Sequence, residues 1–123
     1  KSYAKHYQTG NVIPDELIAK IENAGTYGQG FVNAELIAAS LLDFQYHIIT
    51  TPTKISLPEF ENQAMGSIGL IPEIISRYKS TYFQHIFSGG YSCGYYSYTW
   101  AAVLDNDAFE AFKENAKVLG IEI

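Results

Sequence analysis

A chain of 123 residues that is 47% hydrophobic and only 17% charged can bury a real core and is too apolar to stay disordered. Its formal net charge of −5 argues against a nucleic-acid partner, which needs clustered Lys and Arg. No apolar run reaches the roughly 18 residues of a membrane span, and the lone cysteine, Cys93, excludes an internal disulfide and suits a reducing, cytoplasmic setting.

The chain opens on Lys1 with nothing resembling a signal peptide, so it reads as a processed product or an excised piece of a longer protein. Lys1–Tyr7 reads as the last turns of a helix, with Gly10 as its stop. Pro14 opens the next helix, in which Leu17, Ile18, Ile21 and Ala24 keep the helical period from Asp15 to about Asn23, and Gly25 closes it. After a loop at Thr26–Gly30, a long helix is predicted over Val32–Ile49. Its apolar residues fill most of the circumference, which predicts a central, buried element.

Thr50–Leu57 reads as a connector, Pro58–Met65 as a short helix and Gly66–Tyr78 as irregular chain. Ser80 is placed to cap a short helix, Thr81–Phe87. The Gly89-Gly90 loop follows, then a tyrosine-rich helix over Tyr91–Leu104. Asp105 or Asn106 would cap a last helix, Asp107–Val118. No run of alternating residues is present, so the predicted class is all-α, as one domain over residues 1–123.

The densest chemistry lies in His85–Trp100. If Tyr91, Tyr95 and Tyr98 share a helix, their i, i+4, i+7 spacing makes one stripe of phenols beside a glycine loop, with His85 at its mouth. A phenol with a pKa near ~10 stays protonated at neutral pH and can donate to a developing oxyanion. The competing interpretation is an aromatic core seam. Of the three histidines, His6 and His47 are expected to be satisfied by neighbours. No zinc motif His-Glu-x-x-His is present, since the residues four after each histidine are Gly10, Thr51 and Gly89. Cys93 reads as a small buried filler. The residues themselves offer no nucleophile, metal site or acid/base pair.

The segment Tyr82–Leu104, the stretch Ala4–Gly10 with Ile13–Ile18, and Gly30-Phe31 leading into Leu41-Leu42-Asp43 together resemble the thimet oligopeptidase family of zinc metallopeptidases, of the oligopeptidase A and bacterial dipeptidyl carboxypeptidase type. The resemblance covers about Tyr3–Glu114. It implies the helical C-terminal segment of a two-lobed, mostly helical peptidase that hydrolyses short peptides. It also implies zinc in the parent enzyme, held by residues upstream of this chain, with no metal in the segment and no activity of the segment alone. By the same resemblance, Tyr98 corresponds to the oxyanion donor. Tyr91 and His85 correspond to transition-state and substrate contacts, Gly89 and Gly90 to a mobile loop, and Tyr95 to a channel-lining tyrosine. The implied partners are short peptides and the rest of the catalytic domain. The alternatives are a self-standing aromatic module that grips a peptide or sugar without catalysis, and a structural helical domain with a tyrosine seam. After Asn115 the tail Ala116–Ile123 departs from the family pattern.

Overall fold

The computed structural model describes residues 3–120. The helices are α1 (Asp15–Ala24), α2 (Gln29–His47), α3 (Leu57–Ser67), α4 (Gln84–Phe87) and α5 (Ser97–Leu119), with a 3₁₀ turn at Ser80–Tyr82 between α3 and α4. Among the described residues the only β-pairing is an isolated antiparallel bridge, Lys5 to Val12, so the chain is all-α. It divides into two compact units, one ending at Val32 and one beginning at Asn33.

In the first unit the expected opening helix is absent over Tyr3–Tyr7, while Lys1 and Ser2 lie outside the described residues. The chain doubles back instead: the His6 amide donates to the Asn11 carbonyl (2.8 Å) and the Ile13 amide to the Ala4 carbonyl (2.9 Å). Gly10 makes the reversal at φ +70°, a conformation that costs other residues about 1–2 kcal/mol. His6 Nδ1 accepts the amides of Gln8 and Thr9 (3.3 Å each), so the imidazole is satisfied within its own turn, as expected. α1 runs nearly as the sequence predicts, with Pro14 at its N-cap, Asp15 and Glu16 in the first turn and Gly25 at its C-cap.

The core lies in the second unit. Leu42 and Ala39 of α2 pack with Ala64 of α3, Phe83, Ile86 of α4, and Tyr95. α2 buries one face rather than its whole circumference: Ala38, Ala39, Ser40, Leu42 and Asp43 are buried, whereas Phe31, Val32 and Ile37 are about half exposed. α3 is capped by Ser56, whose hydroxyl accepts the Glu59 amide.

Ser80 does not cap the helix that follows it. Its amide and hydroxyl both donate to Glu61 Oε1 of α3 (2.6 Å each), and its hydroxyl is bonded in turn to the Tyr46 hydroxyl. Burial pushes the Glu61 carboxyl up, but the Ser80 bonds and Lys79 Nζ, 3.3 Å away, outweigh it and leave the pKa below its ordinary value. This buried tie locks the 3₁₀ turn onto α3 and so sets where α4 begins.

The two C-terminal helices of the sequence reading are one helix, α5. Asp105 and Asn106 do not break it. Asn106 Nδ2 donates to the Ala102 carbonyl four residues back (2.6 Å), so the polar residues 105–107 lie exposed within the helix and do not cap a new one. Gly120 ends α5 at φ +65°, donating to the Ala116 and Lys117 carbonyls.

Candidate functional site

Residues 91–96 are not helical, although their spacing suggested it; they form successive turns. The reason lies in another part of the chain. The amides of Cys93 and Tyr95 are drawn to the carboxylate of Asp43 on α2, Oδ1 and Oδ2 respectively, at 2.9 Å each. An amide given to a carboxylate is lost to the i→i−4 ladder. Cys93 also sits at φ +55°, in the left-handed region that favours glycine. It is exposed, so the expectation of a buried filler is overturned.

The stripe nevertheless assembles, by turns instead of by helical periodicity. The Tyr91 and Tyr98 rings stack at 5.3 Å with planes 16° apart, and Tyr95 lies 5.1 Å from Tyr98. His85, on α4, stands 6.1 Å from Tyr91 and 5.8 Å from Tyr95. Thus His85, Tyr91, Tyr95 and Tyr98 form one continuous aromatic cluster.

Two residues of the site were not marked by sequence reasoning. Tyr78, from the irregular segment, stacks on Phe83 (4.9 Å) and packs 4.8 Å from His85 and 5.9 Å edge-on to Tyr95. Asp43 had a usable signal, as one of only two acids, with Glu35, within the most apolar helix; Tyr78 had none.

The glycines are needed for two different reasons. A Cβ on Gly89 would stand 2.8 Å from His85 Cα and 2.9 Å from the His85 carbonyl oxygen, closer than real side chains come. Gly90 has open space but lies at φ +84°. The loop is hydrogen-bonded back onto α4: Ser88 and Gly89 amides donate to the Gln84 carbonyl, Tyr91's to the His85 carbonyl (3.1 Å), and the Ser92 hydroxyl to the Ile86 carbonyl (2.6 Å).

The electrostatics favour protonated phenols. A hydrogen bond with Tyr91 raises the Tyr98 pKa, aided by burial and by the nearby phenols of Tyr91 and Tyr78. Burial, with the neighbouring Tyr78 phenol, pushes Tyr95 up to about 12. His85 Nδ1 is buried and finds no partner among the described residues, so a contact from His85 to a ligand falls to Nε2. Tyr96 faces elsewhere. It stacks on Phe44 (5.8 Å) and lines an apolar groove of about 250 Å³ with Ile37, Leu41 and Trp100.

Zinc, implied by the family resemblance, does not fit the residues described. No three His, Cys, Asp or Glu side chains among them converge as a metal-holding group. His47 is engaged by Asp43, Nδ1 to Oδ1 at 2.8 Å, which agrees with its expected structural role. Among the described residues no helix is long and apolar enough to cross a membrane.

Comparison with known proteins places these features in a family. The chain is 40% identical over 114 residues to a dipeptidyl carboxypeptidase of Escherichia coli, covering 91% of this chain and 17% of that protein. It is 35% identical to a probable cytosolic oligopeptidase A of Arabidopsis thaliana, over 92% of this chain and 16% of the relative. It is 34% identical to an oligopeptidase A of Escherichia coli, over 89% and 16%. The chain therefore spans only about a sixth of the length of these relatives. The model of peptidase family M3 matches residues 1–122, and the chain belongs to that family.

Proposed function

We propose that this chain is the all-α C-terminal part of the catalytic domain of a longer, cytoplasmic, zinc-dependent peptidase that hydrolyses short peptides. Its contribution is binding and transition-state stabilisation; the zinc ligands are assigned to other parts of the longer protein. The family membership supports a peptidase, and the similarity to oligopeptidases and dipeptidyl carboxypeptidases supports short peptides as substrates.

The observation that carries the site assignment is the stacked Tyr91–Tyr98 ring pair, 5.3 Å apart, with Tyr95 5.1 Å from Tyr98. When a peptide carbonyl becomes tetrahedral, its oxygen gains negative charge, and a rigid donor aimed there is worth about 10²–10³ in rate. Tyr98, on the first turn of α5, is the oxyanion donor, and Tyr91 is its partner on the loop. The raised Tyr98 pKa keeps the donating proton in place at neutral pH. His85 and the Gly89-Gly90 backbone contact the substrate main chain, and Tyr95 forms the wall behind the pair.

Tyr98→Phe in the intact peptidase, assayed on internally quenched short peptides, tests the proposal. The ring remains, so KM should change little while kcat falls about 10²–10³-fold. Tyr96→Phe, in the apolar groove, should stay within a few-fold of the unmutated enzyme. Equal effects of the two substitutions would make the tyrosine cluster a packing seam and sink the assignment. The chain by itself should show neither peptidase activity nor stoichiometric zinc. Metal analysis finding zinc held by His6, His47 or His85 would overturn that part.

A further inference from the structure

We infer that Asp43 is the positioning residue of the tyrosine site, a buried carboxylate that sets where the Tyr91 and Tyr98 hydroxyls stand. The inference rests on Tyr98 acting as the oxyanion donor.

Asp43 is 1% exposed, in the core-facing side of α2. An isolated carboxylate buried there costs several kcal/mol unless it is fully bonded, so a residue present only to fill space would be apolar. Both of its oxygens are engaged. Oδ1 takes the Cys93 amide and Oδ2 the Tyr95 amide, at 2.9 Å each, across 50 and 52 residues of sequence. His47 Nδ1, one turn along α2, is hydrogen-bonded to the Asp43 carbonyl (2.8 Å) and lies 2.8 Å from Oδ1, so its ring packs against the carboxylate.

The two clamped amides bracket Gly94, and from there the geometry passes in both directions. Backwards, the Gly94 amide donates to the Tyr91 carbonyl (2.8 Å), which fixes Tyr91 at the end of the loop. Forwards, the Gly94 carbonyl accepts the Ser97 amide (3.0 Å) and the Tyr95 carbonyl accepts the Tyr98 amide (3.4 Å), which starts α5 with Tyr98 in its first turn. Asp43 touches neither hydroxyl, yet both stand where its carboxylate anchors the backbone between them. The clamp also holds Cys93 in its left-handed conformation, which a single weak bond would not secure.

Asn is nearly isosteric but has one acceptor and one NH₂ group. In either orientation its NH₂ faces a backbone N–H, donor against donor. In the intact peptidase, Asp43→Asn should therefore lower kcat about 10- to 100-fold with KM within about threefold. A residue acting only through Tyr98 should lose its effect once the Tyr98 hydroxyl is gone. On a Tyr98→Phe background, Asp43→Asn should lower kcat by no more than about threefold further. Full multiplication of the two losses, or an Asp43→Asn enzyme with unchanged kcat, would overturn the inference. If Tyr98→Phe alone leaves kcat unchanged, the donor assignment fails first and the inference falls with it. Hydrogen exchange on the unmutated peptidase covers a variant that does not fold. The Cys93 and Tyr95 amides should exchange at least about a hundredfold more slowly than exposed amides that make no hydrogen bond, such as that of Gly90. Exchange as fast as those would show that the clamp does not exist.

Discussion

Gly89→Ala is the most demanding test of the loop geometry. An alanine Cβ would lie 2.8 Å from His85 Cα, 2.9 Å from its carbonyl oxygen and 3.2 Å from its carbonyl carbon, where ordinary contacts begin at 3.4 Å. All three are backbone atoms of α4, so no rotamer change relieves the clash; loop and helix must part by roughly half an ångström or more. The oxygen that must withdraw is also the acceptor for the Tyr91 amide, at 3.1 Å. Overpacking of this kind costs about 1–3 kcal/mol, and loss of the hydrogen bond about 0.5–1.5 more. A destabilisation of roughly 2–4 kcal/mol is expected, together with a fall in kcat because Tyr91 moves. Gly90→Ala is the comparison. It meets no atom within 4 Å and suffers only the left-handed backbone, about 1–2 kcal/mol. Denaturant titration of the intact peptidase, with hydrogen exchange followed over residues 84–98, separates the two. Gly89→Ala no more destabilising than Gly90→Ala, with Tyr91 still protected, would refute the close approach of loop and α4.

Two further outcomes follow from the same structure. Leu42→Ala, at a site with no exposure among Ala39, Phe83, Ile86 and Tyr95, should cost about 2–5 kcal/mol in denaturant melts, whereas half-buried Leu41→Ala should cost roughly half as much or less; equal losses would contradict the one-sided burial of α2. Tyr95 titrates near ~10 when unfolded but at about 12 when folded, so the native state holds that proton more tightly. Its stabilising contribution is complete below pH ~10 and is lost as pH rises towards 12. Tyr95→Phe should flatten this alkaline loss of stability, and an unchanged alkaline slope would show that Tyr95 is not its source.

Local patterns in the sequence determined a good deal of this protein. The Asp15 helix between Pro14 and Gly25, the Pro58 helix, the all-α class and the irregular segment before Ser80 all follow from capping residues, helical period and punctuation, which act within a turn or two of chain. The site residues were also legible as residues: His85, Tyr91, Tyr95 and Tyr98 do meet. What the sequence could not show is how they meet. The i, i+4, i+7 spacing pointed to one helix, but a carboxylate some fifty residues earlier takes two amides out of that helix and leaves only Tyr98 within α5. Ser80 likewise looked like a cap and is held by Glu61, and Asp105 and Asn106 looked like a helix boundary but lie exposed inside an unbroken helix. In the first unit, the turn at Gly10 overrides the helical reading of Tyr3–Tyr7. Periodicity and capping are short-range signals, whereas a buried polar group must be satisfied by whatever donor the fold brings to it. Which backbone amides reach Asp43 and Glu61 is therefore a property of the tertiary structure alone.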